Sequence, residues 1–85
     1  MNKIHNNLNI ENLIKTEWFK QLNKDKKREI LKNSDWFNQF NLYEQVEINW
    51  GLEENLDISV YAKPEFDFVQ MRKIREELKN EQNIQ

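Results

Sequence analysis

The chain has 85 residues, with 13 basic and 15 acidic side chains, one His, one Gly, one Pro and no Cys. Such a length makes one domain, residues 1–85, and a single Gly and Pro exclude a turn-rich β-sandwich or barrel. Without Cys there are no disulfides or thiolate metal sites, which suits a reducing compartment. No apolar run approaches the roughly 20 residues of a membrane span, and Met1–Asn7 has no apolar signal-peptide core, so the expected location is cytoplasmic.

The elements follow an internal repeat. Thr16-Glu17-Trp18-Phe19-Lys20-Gln21-Leu22-Asn23 returns as Ser34-Asp35-Trp36-Phe37-Asn38-Gln39-Phe40-Asn41, and more loosely as Ser59-Val60-Tyr61-Ala62-Lys63-Pro64-Glu65-Phe66-Asp67. Repetition on this scale predicts stacked supersecondary units. Asn9 is expected to cap a first helix with Ile10, Leu13 and Ile14 inward. Thr16 and Ser34 are expected to cap short helices that carry the Trp-Phe pairs. Asn23, Asn41 and Asp67 suit N-caps of longer helices, because their side-chain oxygens can accept an unpaired N–H. Glu44 and Gln70 stand three residues beyond two of these caps, the capping-box spacing.

The helices expected are about 9–22, 24–33, 35–40, 42–55 and 67–81. Met71, Ile74 and Leu78 form one face of the last. Residues 57–62 read as an extended connection laying Ile58, Val60 or Tyr61 into the core, and Pro64 separates it from the last helix. The fold class is all-α: a small helical bundle or short solenoid of about three degenerate helix-pair repeats. The units are about 9–33, 34–58 and 59–81, with tails 1–7 and 82–85 disordered.

The stretch Gly51-Leu52-Glu53-Glu54-Asn55-Leu56-Asp57-Ile58-Ser59-Val60-Tyr61-Ala62-Lys63-Pro64-Glu65-Phe66-Asp67-Phe68-Val69-Gln70-Met71-Arg72-Lys73-Ile74-Arg75 resembles an uncharacterised tandem-repeat family of low-GC Gram-positive bacteria and their mobile elements. The likeness spans about Asn41 to Leu78. Y-A-K-P followed by Q-M-x-x-I-R is its most specific part. Asn55 departs from the second Gly of that pattern, and Arg75-Glu76-Glu77-Leu78 departs from its continuation, as a terminal copy would. The resemblance implies a setting in phages, prophages and plasmids, where small proteins often counter host defence.

Charge is segregated along the chain. Met1–Lys32 holds eight basic and four acidic residues, Asn33–Ala62 six acidic and no basic, and Lys63–Gln85 five of each. The acidic segment nominates a partner-binding face of Glu44, Glu47, Glu53, Glu54 and Asp57, anchored by Trp50, which falls off the cleanest apolar stripe. Such a face could mimic a phosphate array and dock on a basic protein surface. Lys24, Lys26, Lys27, Arg28 and Lys32 form an alternative basic patch for nucleic acid. Arg72 and Arg75, spaced i, i+3, could clamp an anion, or pair within the chain. Trp18, Trp36 and Tyr61 hold matching repeat positions and read as core or inter-repeat packing.

One His, His5, and no Cys leave no transition-metal ligand set. No nucleophile motif or phosphate loop is present, so neither an enzyme nor a cofactor is expected. The reading is a non-catalytic protein-binding module. Its concrete form is a mobile-element inhibitor of a host nucleic-acid-handling defence enzyme, of anti-CRISPR or anti-restriction type, whose partner is a host protein with a basic surface. The alternatives are a nucleic-acid binder and a homo-oligomeric assembly module.

Overall fold

Two hydroxyl side chains set the turns of the N-terminal half. Thr16 Oγ1 donates to the Leu13 carbonyl (2.7 Å) and accepts the Phe19 N–H (3.1 Å). Ser34 Oγ repeats the pattern with Leu31 (2.8 Å) and Phe37 (3.0 Å). Each hydroxyl therefore ends one helix and starts the next. Ser34→Ala removes both bonds and is expected to lower stability by about 1 kcal/mol. The urea midpoint, read by tryptophan fluorescence, measures it.

The computed structural model describes residues 7–83. It contains α1 (Asn7–Leu13), α2 (Glu17–Lys20), α3 (Lys24–Leu31), α4 (Asp35–Asn38), α5 (Leu42–Glu53), a 3₁₀ turn (Ile58–Val60) and α6 (Phe68–Asn83). The described chain is all-helical, with no strand. His5 and most of the two tails expected to be disordered lie outside the described residues. Asn7 opens α1, and α6 runs to Asn83.

Three expectations need correction. Asn9 lies inside α1 and is not its cap. The helix expected over 9–22 is two helices, because Thr16 takes extended backbone (φ −78°, ψ 153°) to cap α2. The connection after Asp57 is a 3₁₀ turn and not an extended segment. Asp57 explains it: its Oδ1 accepts the Ser59 N–H (3.1 Å) and the Ser59 hydroxyl (2.6 Å), which tightens the chain locally.

The longer helices start as their caps dictate. Asn23 accepts from Lys26 (2.9 Å). Asn41 and Glu44 form a full capping box. Asp67 and Gln70 exchange the same reciprocal pair of bonds, 2.8 and 2.9 Å. Asn55 ends α5 at φ 62°, a left-handed conformation that Asn tolerates better than most residues.

α5 is the shared neighbour: α3, α6 and the 3₁₀ turn pack on it, while α1 packs on α4. Ile48, Leu52, Ile58, Tyr61 and Met71 fill the centre, all at most 2% exposed. Trp36 stands edge-on to Phe40, centroids 5.1 Å apart, an arrangement that adds about 1 kcal/mol to the area buried. Its indole N–H has no acceptor among the described residues.

Candidate binding surface

The carboxylates of the acidic segment do not form an open acidic face. Glu47 is 3% exposed and accepts from Arg75 Nε (2.8 Å) and Arg72 Nε (3.2 Å). Glu54 accepts from Arg75 Nη1 (3.0 Å) and Lys79 Nζ (2.9 Å). Glu53 accepts from Lys24 Nζ and Arg28 Nη2, each at 2.8 Å. Asp57 receives Lys20 Nζ at 3.2 Å, and Glu44 is spent on its capping box. The three charge blocks of the sequence thus neutralise one another in space. α5 and the residues just after it lie between cations from α2 and α3 and cations from α6.

The same pairing takes apart the two cationic candidates. Arg72 and Arg75 come together, but on Glu47 and not around a vacant anion position. Burial works against the Arg75 charge; its hydrogen bonds to Glu47 and Glu54 outweigh it and hold the guanidinium above its ordinary range. In the basic patch, Lys24 and Arg28 are committed to Glu53, and Lys27 is buried at 5% exposure. Lys26 and Lys32 remain exposed.

Three carboxyls are held below their ordinary range. Hydrogen bonds from Lys24 and then Arg28 lower Glu53. For Glu54 and Asp57, burial alone would raise the carboxyl. Bonds from Lys79 and Arg75 overcome it at Glu54, and bonds from Ser59 and Lys20 overcome it at Asp57. A carboxyl with a depressed folded pKa stabilises the fold above its unfolded value of about 4, and that contribution fades as pH falls through the folded pKa. The thermal midpoint should therefore be level between about pH 6 and 8 and fall progressively below about pH 4. A pH series of melting curves checks this.

Most of what α5 exposes is apolar or aromatic. The helix carries nonpolar side chains on two sides: Ile48 and Leu52 face the core, while Leu42 (75%), Val46 (49%) and Trp50 (49%) face solvent. The outward set is spaced i, i+4, i+8, one helical stripe. Beside it lies an open groove of about 260 Å³ lined by Arg28, Val46, Asn49, Trp50 and Glu53. The Arg28–Glu53 ion pair forms its polar edge, and Arg75 lies 5.7 Å from the Trp50 ring centroid. Trp50 and Glu53 thus line one groove, whereas Glu47 is internal.

Sequence reasoning singled out Trp50 but missed Leu42, Val46 and the wall made by Arg28. The available signal was the spread of α5's apolar residues around the helix, which a single buried stripe does not require. Trp18 also departs from the core reading. It is 59% exposed, whereas Trp36 is 1% and Tyr61 0% exposed at the matching positions.

Among the described residues no three His, Cys, Asp or Glu side chains cluster as metal ligands would, and no helix is long and apolar enough to cross a membrane. Comparison with protein-family models, with curated proteins and with solved structures finds no match for this chain.

Proposed function

We propose that this protein is a non-catalytic, cytoplasmic protein-binding module whose contact surface is the groove on α5 centred on Trp50. The observation that carries this reading is the solvent-facing stripe Leu42, Val46 and Trp50 beside an open groove. Large apolar side chains clustered on a small domain mark interaction sites more often than isolated ones do. Trp and Arg are the residue types most enriched at binding hot spots, and Trp50 and Arg28 both line the groove. The setting implied by the sequence resemblance gives the concrete partner class, a host nucleic-acid-handling defence enzyme of CRISPR-effector or restriction type. The contact would be made by the groove and not by a free acidic array, because those carboxylates are satisfied within the chain.

Affinity capture with the tagged protein from lysate of a low-GC Gram-positive host tests this, with wild type and Trp50→Ser run in parallel. The expected result is a nucleic-acid-handling enzyme retained by wild type and lost by Trp50→Ser, with helical circular dichroism unchanged. Retention of the same protein by both would reject the groove. Co-purifying nucleic acid with no protein would favour Lys26 and Lys32 as a binding edge.

One observation favours a second reading, the assembly module. Trp18 is exposed where its repeat counterparts Trp36 and Tyr61 are buried, as an end unit awaiting a neighbour would be. Sedimentation equilibrium decides it. Mass rising with concentration, and a monomer for Trp18→Ser, support self-association; a wild-type monomer at millimolar concentration rejects it.

A further inference from the structure

We infer that the cleft between α2, α3 and the Asn55–Asp57 turn binds a small oxyanion, of phosphate or carboxylate type, on the ammonium of Lys27. The cleft is a cavity of about 160 Å³ lined by Lys20, Lys27, Asn55, Leu56 and Asp57. A separate, smaller pocket that shares Lys20, Lys27, Leu56 and Asp57 with it is lined also by Phe19 and Ile58.

Lys27 is 5% exposed. Among the described residues its ammonium has no ion pair, and it lies 5.8 Å from the Phe19 ring centroid. The one carboxylate that lines the cleft already serves other donors. Asp57 Oδ2 takes Lys20 at 3.2 Å, and Oδ1 takes the Ser59 N–H and hydroxyl. Two ammonium groups thus share one carboxylate, and the cleft is one negative charge short. The Lys27 side chain is largely buried while its ammonium keeps access to the cleft, and a charge held mostly out of water without a partner is costly.

The geometry points to a small ligand. Two lysines act as point charges for an oxyanion, Asn55 adds polar lining, and a cavity of about 160 Å³ suits a small ion and not a polymer. Burial makes Lys27 a weaker base than an ordinary lysine, and Asp57 offsets this only in part; a bound anion would supply the rest. This cleft is distinct from the groove at Trp50, so neither inference depends on the other.

Thermal unfolding of the full chain tests it. Ionic strength is held constant while chloride is exchanged for inorganic phosphate and, separately, for acetate. The expected result is a saturable rise of the wild-type midpoint with one of the two anions, on the order of 10 °C at a hundredfold excess over Kd. Lys27→Met should abolish the rise, and the responding anion identifies the class. A wild-type midpoint indifferent to both anions, or an equal rise in Lys27→Met, overturns the proposal. Should Lys27→Met not fold, the Lys27 Cε–Hε resonances of the wild type decide: a saturable shift on phosphate or acetate titration supports the site, and unmoved resonances refute it.

Discussion

Glu47→Leu is expected to lower stability by roughly 3 kcal/mol, the low end of what removing one partner from a buried ion pair costs. Glu47 is 3% exposed and the Arg75 side chain 12%, so neither charge can recover its hydration when the other is lost. Arg75 would keep Glu54 at 3.0 Å, which places the loss at the low end. Arg72, at 52% side-chain exposure, can turn to water and contributes little. A chain of this size has only about 5 kcal/mol or somewhat more in hand, and each kcal/mol lowers the midpoint by about 4–8 °C. Melting curves should therefore show a drop of well over 10 °C. The double variant Glu47→Leu/Arg75→Leu should recover much of it, because apolar groups can replace a buried pair at little net cost. An equal loss in single and double variants would show that taking Arg75 from Glu54 costs as much as leaving Arg75 without Glu47. Charge reversal at Glu47 therefore probes the fold and not a binding face.

The caps were legible because their chemistry is local. Asn23, Asn41, Asp67, Thr16 and Ser34 need only the residue three positions on to satisfy them, and both partners are visible in the sequence. The fate of the carboxylates was not local. Glu44 and Glu47 look alike in the sequence, yet one closes a helix end and the other lies buried between α5 and α6. The difference is angular position on α5 and which neighbouring helix that position meets. The segregation of charge was the available signal: six acidic residues between two stretches rich in cations can be matched by folding the chain back on itself. Trp18 and Trp36 show the same limit. Their local sequences are near copies, but α1 packs on α4, and such a contact is set by topology. Trp50 was legible as an outlier from the buried stripe, while the groove beside it required α3 to bring Arg28 alongside.

Gly51→Ala is expected to destabilise the fold by about 2–3 kcal/mol, although alanine favours a helix by about 1 kcal/mol over glycine. Gly51 is buried inside α5, and the reason is Tyr61. Its hydroxyl donates to the Glu47 carbonyl at 2.6 Å and so crosses α5 where residue 51 has no side chain. A Cβ on residue 51 would collide with Tyr61 Oη and lie 2.9 Å from Ile58 Cγ2. Tyr61 is 0% exposed and has no open space to retreat into, and burial pushes its phenol above the ordinary range. Overpacking a core costs about 1–3 kcal/mol, and forcing the hydroxyl from its acceptor adds about 1–3 kcal/mol. Together these exceed the gain in helix propensity. Tyr61→Phe alone removes one buried hydrogen bond and should cost about 1 kcal/mol. In that background the worst contact is gone, so Gly51→Ala should cost markedly less than in the wild type, with a coupling of 1 kcal/mol or more. Urea denaturation of the four proteins of this cycle measures the coupling directly. Additive effects would mean that Ile58, and not the Tyr61 hydroxyl, is what the missing side chain makes room for.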